Sequence, residues 1–379
     1  MTAVPSFRVL ITADAVGGVW QYSTDLAKGL ARLGIDTVLA VMGPSPSEAQ
    51  RAAAAGIEGL ELVDTGLPLD WLADNASSLR AAGEEIAALA KRRGADLIQL
   101  NTPALAAETR FKLPVVAVQH SCVATWWDAV HGTELPADFA WRTDLVRSGL
   151  HAADAVVTPT DAFGAATKRV YGLSEAPRTV YNGRTPLDVP RQAPHDFVFT
   201  AGRLWDEGKN LDTLDAAAGH IPVPLRAAGP LKGPNGTAVL FDNIHCLGNL
   251  EEAELAAWLA ARPVFVSAAL YEPFGLAVLE AASAGCPLVL SDIPTFRELW
   301  DECAIFVSPR DEEGFTRAIA NLVGDDFERA VMGRAAQERA GRYTPDVMAA
   351  QMAAIYRSLL PAVRRPVLAA TGLTAKAAA

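Results

Sequence analysis

Two stretches of this chain set charged side chains beside glycine at spacings that suit a phosphorylated ligand. The first runs Tyr271-Glu-Pro-Phe-Gly-Leu-Ala-Val-Leu-Glu280 and continues Ala281-Ala-Ser-Ala-Gly-Cys-Pro-Leu-Val-Leu-Ser291. The apolar run Val264–Ser267 reads as a strand that leads into a loop. A helix is predicted from near Gly275 to the stop signal Gly285-Cys286-Pro287. Glu280 then lies about one turn inside the helix, on the face that begins with Leu276, and Glu272 stands in the loop just ahead. Between them the amides of Phe274, Gly275 and Leu276 have no partner within the helix and sit at the positive end of its dipole. Such a place binds an anion, phosphate above all. Flanking carboxylates can accept hydrogen bonds from the hydroxyls of a sugar or a ribose. The plainer alternative is a buried strand–helix unit with two surface glutamates.

The second stretch is Thr200-Ala-Gly-Arg203-Leu-Trp-Asp-Glu-Gly-Lys209-Asn210-Leu. Arg203 leaves the end of a strand and Lys209 stands at the entry to the next helix. Together they could neutralise a diphosphate, Arg as a planar fork and Lys as a point charge. A solvated loop with ordinary surface charges is the alternative.

Elements that would position these residues follow from the apolar rhythm. Phe7 to Thr12 reads as a first strand, followed by the loop Ala13 to Val19 and a helix to about Leu33. Further strands are predicted at Thr37–Met42, Leu60–Val63, Leu97–Asn101, Val115–Gln119 and Ala155–Thr158, with helical segments between most of them. Residues 184–196 carry three prolines and no period, so they read as an interdomain linker. The rhythm then restarts with strands at Phe197–Ala201, Leu225–Ala228, Ile244–Cys246, Val264–Ser267 and Leu288–Ser291. This alternation predicts two tandem doubly wound halves, each a parallel sheet wrapped by helices, with the chemistry in the cleft beyond the strands' carboxyl ends. Thr344-Pro345-Asp346 signals the start of a last helix, on which Met348, Met352, Ile355, Tyr356, Leu359 and Leu360 form one apolar stripe. Residues 366–379 are Ala-rich and read as a tail.

The length of 379 residues suits two domains, and a hydrophobic half with one fifth charged excludes bulk disorder. Net charge is −11, and both halves share it: 16 basic and 21 acidic residues up to residue 190, then 17 and 23. No global basic field exists to hold nucleic acid, and neither half is basic enough to sit on anionic lipid. Cys122, Cys246, Cys286 and Cys303 are far apart, without metal-ligand spacing, and read as small core residues of a reducing compartment. The N-terminus lacks the pattern of a signal peptide and no apolar run approaches a membrane span, so the expected location is cytoplasmic.

Taken together, Gly-Arg203…Lys209-Asn210 and Glu272-Pro-Phe-Gly-Leu…Glu280 resemble the family 4 retaining glycosyltransferases of the GT-B fold. The resemblance spans nearly the whole chain. It includes Asp14-Ala-Val-Gly17-Gly18-Val19 after the first strand, Gln119-His120 after a central strand, and Val180-Tyr-Asn182-Gly183 before the linker. It implies an α/β protein of two Rossmann-like domains facing a central cleft. Residues 1–185 would form the acceptor-side domain and 186–345 the nucleotide-sugar domain. Within 346–379, a closing helix would pack back on the first domain ahead of the tail.

The family's roles carry over by position. Glu280 would grip the ribose of a nucleotide sugar, and Glu272 with the amides of Phe274 and Gly275 would hold the donor sugar. Arg203, Lys209 and the amide of Leu276 would hold the diphosphate. Leu247-Gly-Asn249-Leu250 falls where the base is contacted, and His120 would reach the donor sugar from the opposite domain. Gly17 and Gly18 would let the backbone approach the diphosphate and acceptor. Trp126, Trp127 and Trp141 could be core or an aromatic wall for an acceptor, with Asp128 placed to orient its hydroxyl. Two segments depart from the family pattern. Arg184-Thr185 follows Asn182-Gly183 where an aliphatic residue and an acid are usual, and Asp292-Ile-Pro-Thr-Phe-Arg-Glu298 replaces a glycine-rich turn, although Glu298 keeps its place.

The resemblance implies hexosyl transfer with retention by same-face attack, giving an α-glycoside of a polysaccharide, glycolipid or small molecule. The chain contains no Asp-x-Asp metal motif, so Arg203 and Lys209 are expected to stand in for magnesium, and no cofactor is expected beyond the donor itself. The acceptor would be a sugar, a lipid-linked molecule or a small molecule. Peripheral contact with the inner face of a membrane stays open because many family members use lipid acceptors. Rival readings are a phosphorylase or sugar-nucleotide epimerase on the same fold, and a non-catalytic sugar-nucleotide binder. A Rossmann dehydrogenase is disfavoured because Gly17-Gly18 lacks the Gly-x-Gly-x-x-Gly spacing.

Overall fold

A computed structural model describes residues 7–190, 192–233 and 236–360. The first half contains strands β1 (Arg8–Asp14), β2 (Asp36–Met42), β3 (Leu60–Asp64), β4 (Leu97–Leu100), β5 (Val115–Val118), β6 (Ala155–Thr158) and β7 (Arg178–Thr179). Its helices are α1 (Gly18–Arg32), α2 (Glu48–Ala55), α3 (Ala76–Arg92), α4 (Val123–Val130), α5 (Ala140–Ala152) and α6 (Asp161–Tyr171). All seven strands are parallel in the order β3-β2-β1-β4-β5-β6-β7. Helices cover both faces, so the inner strands are buried on both sides and read as continuous apolar runs rather than alternating ones.

The second half repeats the plan with β8 (Val198–Ala201), β9 (Leu225–Ala228), β10 (Ile244–Gly248), β11 (Val264–Ser267), β12 (Leu288–Ser291) and β13 (Ile305–Val307). These are parallel in the order β10-β9-β8-β11-β12-β13. Helices α7 (Leu211–Ala218), α8 (Glu252–Ala260), α9 (Leu276–Ser283), α10 (Pro294–Trp300), α11 (Glu312–Gly324) and α12 (Asp326–Ala340) wrap this sheet, and α13 (Pro345–Leu359) ends the described chain. In each sheet the strand order reverses beside the first strand, which opens a crevice at the carboxyl ends of β1 and β4 and of β8 and β11.

Helix α13 belongs to the first half's core. Thr344 caps it by accepting from Val347, Pro345 occupies its first turn, and Met348, Met352, Ile355 and Tyr356 are buried with Val9, Ile11, Leu26 and Leu30. Gly29 makes the crossing with α1 close: a Cβ there would lie 2.6 Å from Cβ of Ala349. The Ala-rich tail lies outside the described residues. No helix of the described residues is long and apolar enough to cross a membrane.

Strand boundaries fall within two residues of expectation. The two strands missed, β7 and β13, are edge strands of two and three residues, too short to show a period. Two other expectations gain detail. The proline-rich stretch 184–196 does join the two halves without a regular element among its described residues, but its start is packed rather than free, with Arg184 6 % exposed and Leu187 in the second half's core. Cys122 and Cys246 are only partly buried at the margins of the core. Cys122 also caps α4, its sulfur accepting from the Thr125 amide at 3.4 Å, whereas Cys286 and Cys303 are buried as expected.

Candidate functional site

Beyond the ends of β8 and β11 the chain builds a charged nest. After Arg203 it makes a short turn through Glu207–Lys209, and Asn210 follows with φ of 55°. Asn tolerates this left-handed conformation. Its side chain locks it, Nδ2 donating to the carbonyls of Ala268 at 2.9 Å and Pro309 at 2.7 Å while Oδ1 accepts from Thr213 at 3.1 Å. So anchored, Lys209 pairs with Glu272, and both border the small cleft that Gly202, Ser267 and Ala277 also line.

Gly275 sets the start of α9 with φ of 90°. A Cβ there would lie 3.2 Å from Phe296 and 3.3 Å from both Glu272 and Val278, so glycine is required by backbone and packing alike. No side chain caps α9, which leaves its first amides for a ligand or water. Arg203 is half exposed and donates to Asp206 at 2.8 Å. Asp206 also accepts from the Gly208 amide at 2.9 Å and from the Trp126 indole at 3.0 Å, so it joins the cation loop to the opposite half.

Glu280 lies deeper, and Arg184 donates to it at 2.8 Å. Burial pushes its carboxyl pKa up while the Arg184 charge works against that rise. The loop after β10 carries exposed Asn249 and partly buried Leu250. It turns at Gly248, whose φ is 72° and whose carbonyl accepts from the Gly229 amide at 2.7 Å.

On the facing half, Asp14 ends β1 and accepts from the amides of Val16 at 2.9 Å and Gly17 at 3.1 Å. Burial raises its pKa against those amides and against the charge of Arg203. Asp70, in the loop after β3, is pushed up to about 6 by burial, with the nearby Asp14 charge adding to the rise. The two glycines separate. A Cβ on Gly18 would press to 3.2 Å from Leu276, so that glycine lets α1 start close to α9, whereas Gly17 faces open space. His120 is held neutral, its pKa pushed down to about 3 by burial. Its Nε2 lies 3.2 Å from the Asn101 oxygen. Asn101 Nδ2 donates to Thr12 and Ser23, which fixes that amide's orientation and makes Nε2 the protonated nitrogen of the imidazole.

Of the three residues suggested for the acceptor, Trp126 and Trp127 lie together around His131, and Asp128 turns away to Arg169. Trp126 turns its indole to Asp206 and packs on the backbone of Gly208, where a Cβ would meet it at 2.6 Å. It clasps the two halves instead of forming a free wall. Trp127 stays partly open, its ring 4.2 Å from that of His131 and near Phe139. Asp128 is engaged by Arg169 at 2.6 Å on the exposed side of α6, because that cation stands nearest. Trp141 packs on the α5 region and lies under the Arg142 guanidinium.

Sequence reading gave no role to four residues that close the interface. Tyr271 enters the first half, its hydroxyl 2.9 Å from Thr125 Oγ1 and 3.2 Å from Ser121 Oγ. Thr160 donates to the Pro273 carbonyl at 2.9 Å. Glu298 accepts from the amides of Asp161 and Ala162, each at 2.8 Å, and so caps α6 across the cleft. Arg184 is the fourth.

Comparison with known proteins agrees with this architecture. The family model described as Glycosyltransferase Family 4 matches residues 16–186, and that described as Glycosyl transferases group 1 matches residues 195–325. The chain is 26 % identical over 375 residues to glycogen synthase of Mycobacterium tuberculosis, covering 86 % of each. Its fold is similar to that of sucrose-phosphate synthase from Thermosynechococcus elongatus, with a TM-score of 0.74, 19 % identity, and 93 % and 99 % of the two chains covered. It is also similar to Anabaena Alr3699/HepE in complex with UDP and glucose, with a TM-score of 0.71, 18 % identity, and 93 % and 100 % covered.

Proposed function

This chain belongs to the family 4 glycosyltransferases of the GT-B fold, and on that premise we propose that it transfers a hexosyl group from a nucleotide-diphosphate sugar to an acceptor hydroxyl with retention, giving an α-glycoside. One observation carries the reading: Lys209, paired with Glu272, borders the cleft at the uncapped start of α9, and the half-exposed Arg203 lies in the same loop beyond the end of β8. Two cations and a ring of free amides form a site for a diphosphate.

The chemistry follows from where charge develops. As the bond from the anomeric carbon to the phosphate oxygen breaks, the sugar becomes cation-like and negative charge grows on the leaving diphosphate. Lys209, Arg203 and the α9 amides oppose that growing charge with groups already in place, so little reorganisation is needed. Lys209 is held by Glu272 until the diphosphate arrives, and Glu272 then accepts from donor-sugar hydroxyls. Glu280 accepts from the ribose. His120 has its Nε2 proton committed to Asn101, so its bond to the sugar falls to Nδ1 as an acceptor. The leaving phosphate oxygen takes the acceptor's proton as that hydroxyl attacks on the same face. Trp127, with His131 and Phe139, is the aromatic surface left for an acceptor.

A thermal-shift panel of UDP, GDP, ADP and their sugar nucleotides tests the donor site, with UDP first because Alr3699/HepE holds UDP and glucose. A ligand at ~100 times its dissociation constant adds ~2.7 kcal/mol, several degrees in domains of this size. Stabilisation by one base series supports the reading. A flat response from folded protein counts against it.

A further inference from the structure

The geometry points to Arg184 as a positioning residue for the nucleoside end of the donor, holding the ribose carboxylate Glu280 and the base-side start of α8 in one register with α1 of the opposite half. This inference rests on the donor reading above and deepens it. Each guanidinium nitrogen serves a different carboxylate from a different segment. Nε donates to Glu280 Oε1 on α9 at 2.8 Å, Nη1 to Asp25 Oδ2 on α1 at 3.1 Å, and Nη2 to Glu252 Oε2 on α8 at 3.0 Å. Lys28 Nζ, 3.5 Å from Asp25 Oδ1, and Thr185, which donates to the same oxygen, complete the group.

Burial shows what this cluster is for. The Arg184 side chain is 6 % exposed, Asp25 0 % and Glu280 11 %, whereas Glu252 is 63 % exposed. Three carboxylates against two cations leave the group net negative, so it is no anion site. Its acceptors are suited to hydroxyls. Arg184 occupies only Oε1 of Glu280, which leaves Oε2 to take a ribose hydroxyl with its direction already set. Glu252 lies in the first turn of α8, directly after the loop bearing Asn249 and Leu250, so the same fork steadies the base contact. The Arg184 backbone is fixed too: its amide donates to the Tyr343 carbonyl at 3.2 Å, and Gly183 before it allows no Cβ, which would lie 2.2 Å from the Thr344 carbonyl oxygen.

The charged groups facing Glu280 are Arg184, Glu252 and Asp25, with Lys28 behind Asp25. Burial raises the Glu280 pKa and Arg184 opposes the rise. Burial would lower the Arg184 pKa, but Glu280 and Asp25 outweigh it and hold the guanidinium charged. Without that cation Glu280 protonates at higher pH and loses an acceptor just where ribose needs one.

The test compares wild type with Arg184→Gln and Arg184→Lys, titrated calorimetrically with a nucleoside diphosphate, its 2′,3′-dideoxy analogue and inorganic pyrophosphate. UDP, GDP and ADP are each tried. Wild type is expected to prefer the ribonucleotide to the dideoxy form by 10-fold or more. Arg184→Gln is expected to bring that ratio near one while pyrophosphate binding stays within about 3-fold, and to make ribonucleotide binding fall off at higher pH than in wild type as the solution is acidified. Arg184→Lys, which keeps the charge but not the fork, should fall between. Equal weakening of all three ligands, or an unchanged ratio, would overturn the inference because a merely structural role predicts it. If Arg184→Gln does not fold, an Arg184→Lys ratio equal to wild type overturns it alone. Wild type that binds pyrophosphate and no nucleoside diphosphate removes the donor reading and the inference with it; wild type that discriminates while the variants do also leaves the donor reading standing.

Discussion

Replacing Lys209 by Ala removes the cation paired with Glu272, and under the proposed function its effect should fall on turnover. Lys209 and Glu272 are 18 % and 17 % exposed, so their charges act in a partly desolvated cleft. In such a place one preorganised group opposing transition-state charge is worth about 3–4 kcal/mol, or 10²–10³-fold in kcat. On the proposed reading Arg203 and the α9 amides also contact the resting diphosphate, so the dissociation constant for the nucleoside diphosphate should rise less than 10-fold. Glu272 loses its partner, a change of about 1 kcal/mol, or ~2–4 °C in Tm. The assay follows nucleoside diphosphate release from the sugar nucleotide that binds, at saturating donor, alongside calorimetry of the bare diphosphate. A variant with kcat near wild type and binding weakened several hundredfold would refute the reasoning, since Lys209 would then bind ground and transition states alike.

Gly275→Ala should cost about 2–3 kcal/mol, combining a left-handed backbone with contacts of 3.2–3.3 Å to Phe296, Glu272 and Val278, while Gly17→Ala, which meets open space, should leave Tm within about 1 °C. Paired thermal melts check this, and equal shifts would contradict it. Glu280→Ala should weaken nucleoside diphosphate binding by more than 10-fold and pyrophosphate binding hardly at all; calorimetry with both ligands decides. Asp70 has a folded pKa of about 6 against an ordinary 3.8, so the folded state binds its proton more tightly than the unfolded state. Its contribution is favourable at low pH and is lost as pH rises from about 4 to 6, by up to ~3 kcal/mol. Asp70→Asn should therefore raise Tm at pH 8 and change it little at pH 4, and a uniform shift at both would show that the carboxyl is not the cause.

The sheet strands and the motif residues were legible because both are local. Val264–Ser267 and Leu288–Ser291 are continuous apolar runs bounded by turn residues, and strands buried on both faces have that signature. Glu272, Gly275 and Glu280 lie within nine positions of each other, so one helix start relates them. What stayed hidden depends on contacts between distant segments. Arg184 reads as part of a linker until Asp25, Glu252 and Glu280 converge on it from three helices. Trp126 and Asp206 are 80 positions apart, and nothing in either neighbourhood indicates that the indole donates to that carboxylate. Nothing in the sequence around Glu298 shows that it caps α6 of the other half. Such partners are chosen by how the halves meet, which no periodicity encodes.

Proton NMR of the anomeric signal during turnover tests the central claim most directly. The protein is incubated with the α-linked nucleotide hexose that stabilises it, and the first sugar product, transferred or hydrolysed, is followed before mutarotation. The account expects that product to appear as the α-anomer while the nucleoside diphosphate is released, with the rate lost in Lys209→Ala. A β-anomer formed first would contradict same-face transfer, and a donor signal unchanged over hours with folded, nucleotide-bound protein would contradict the transferase reaction itself.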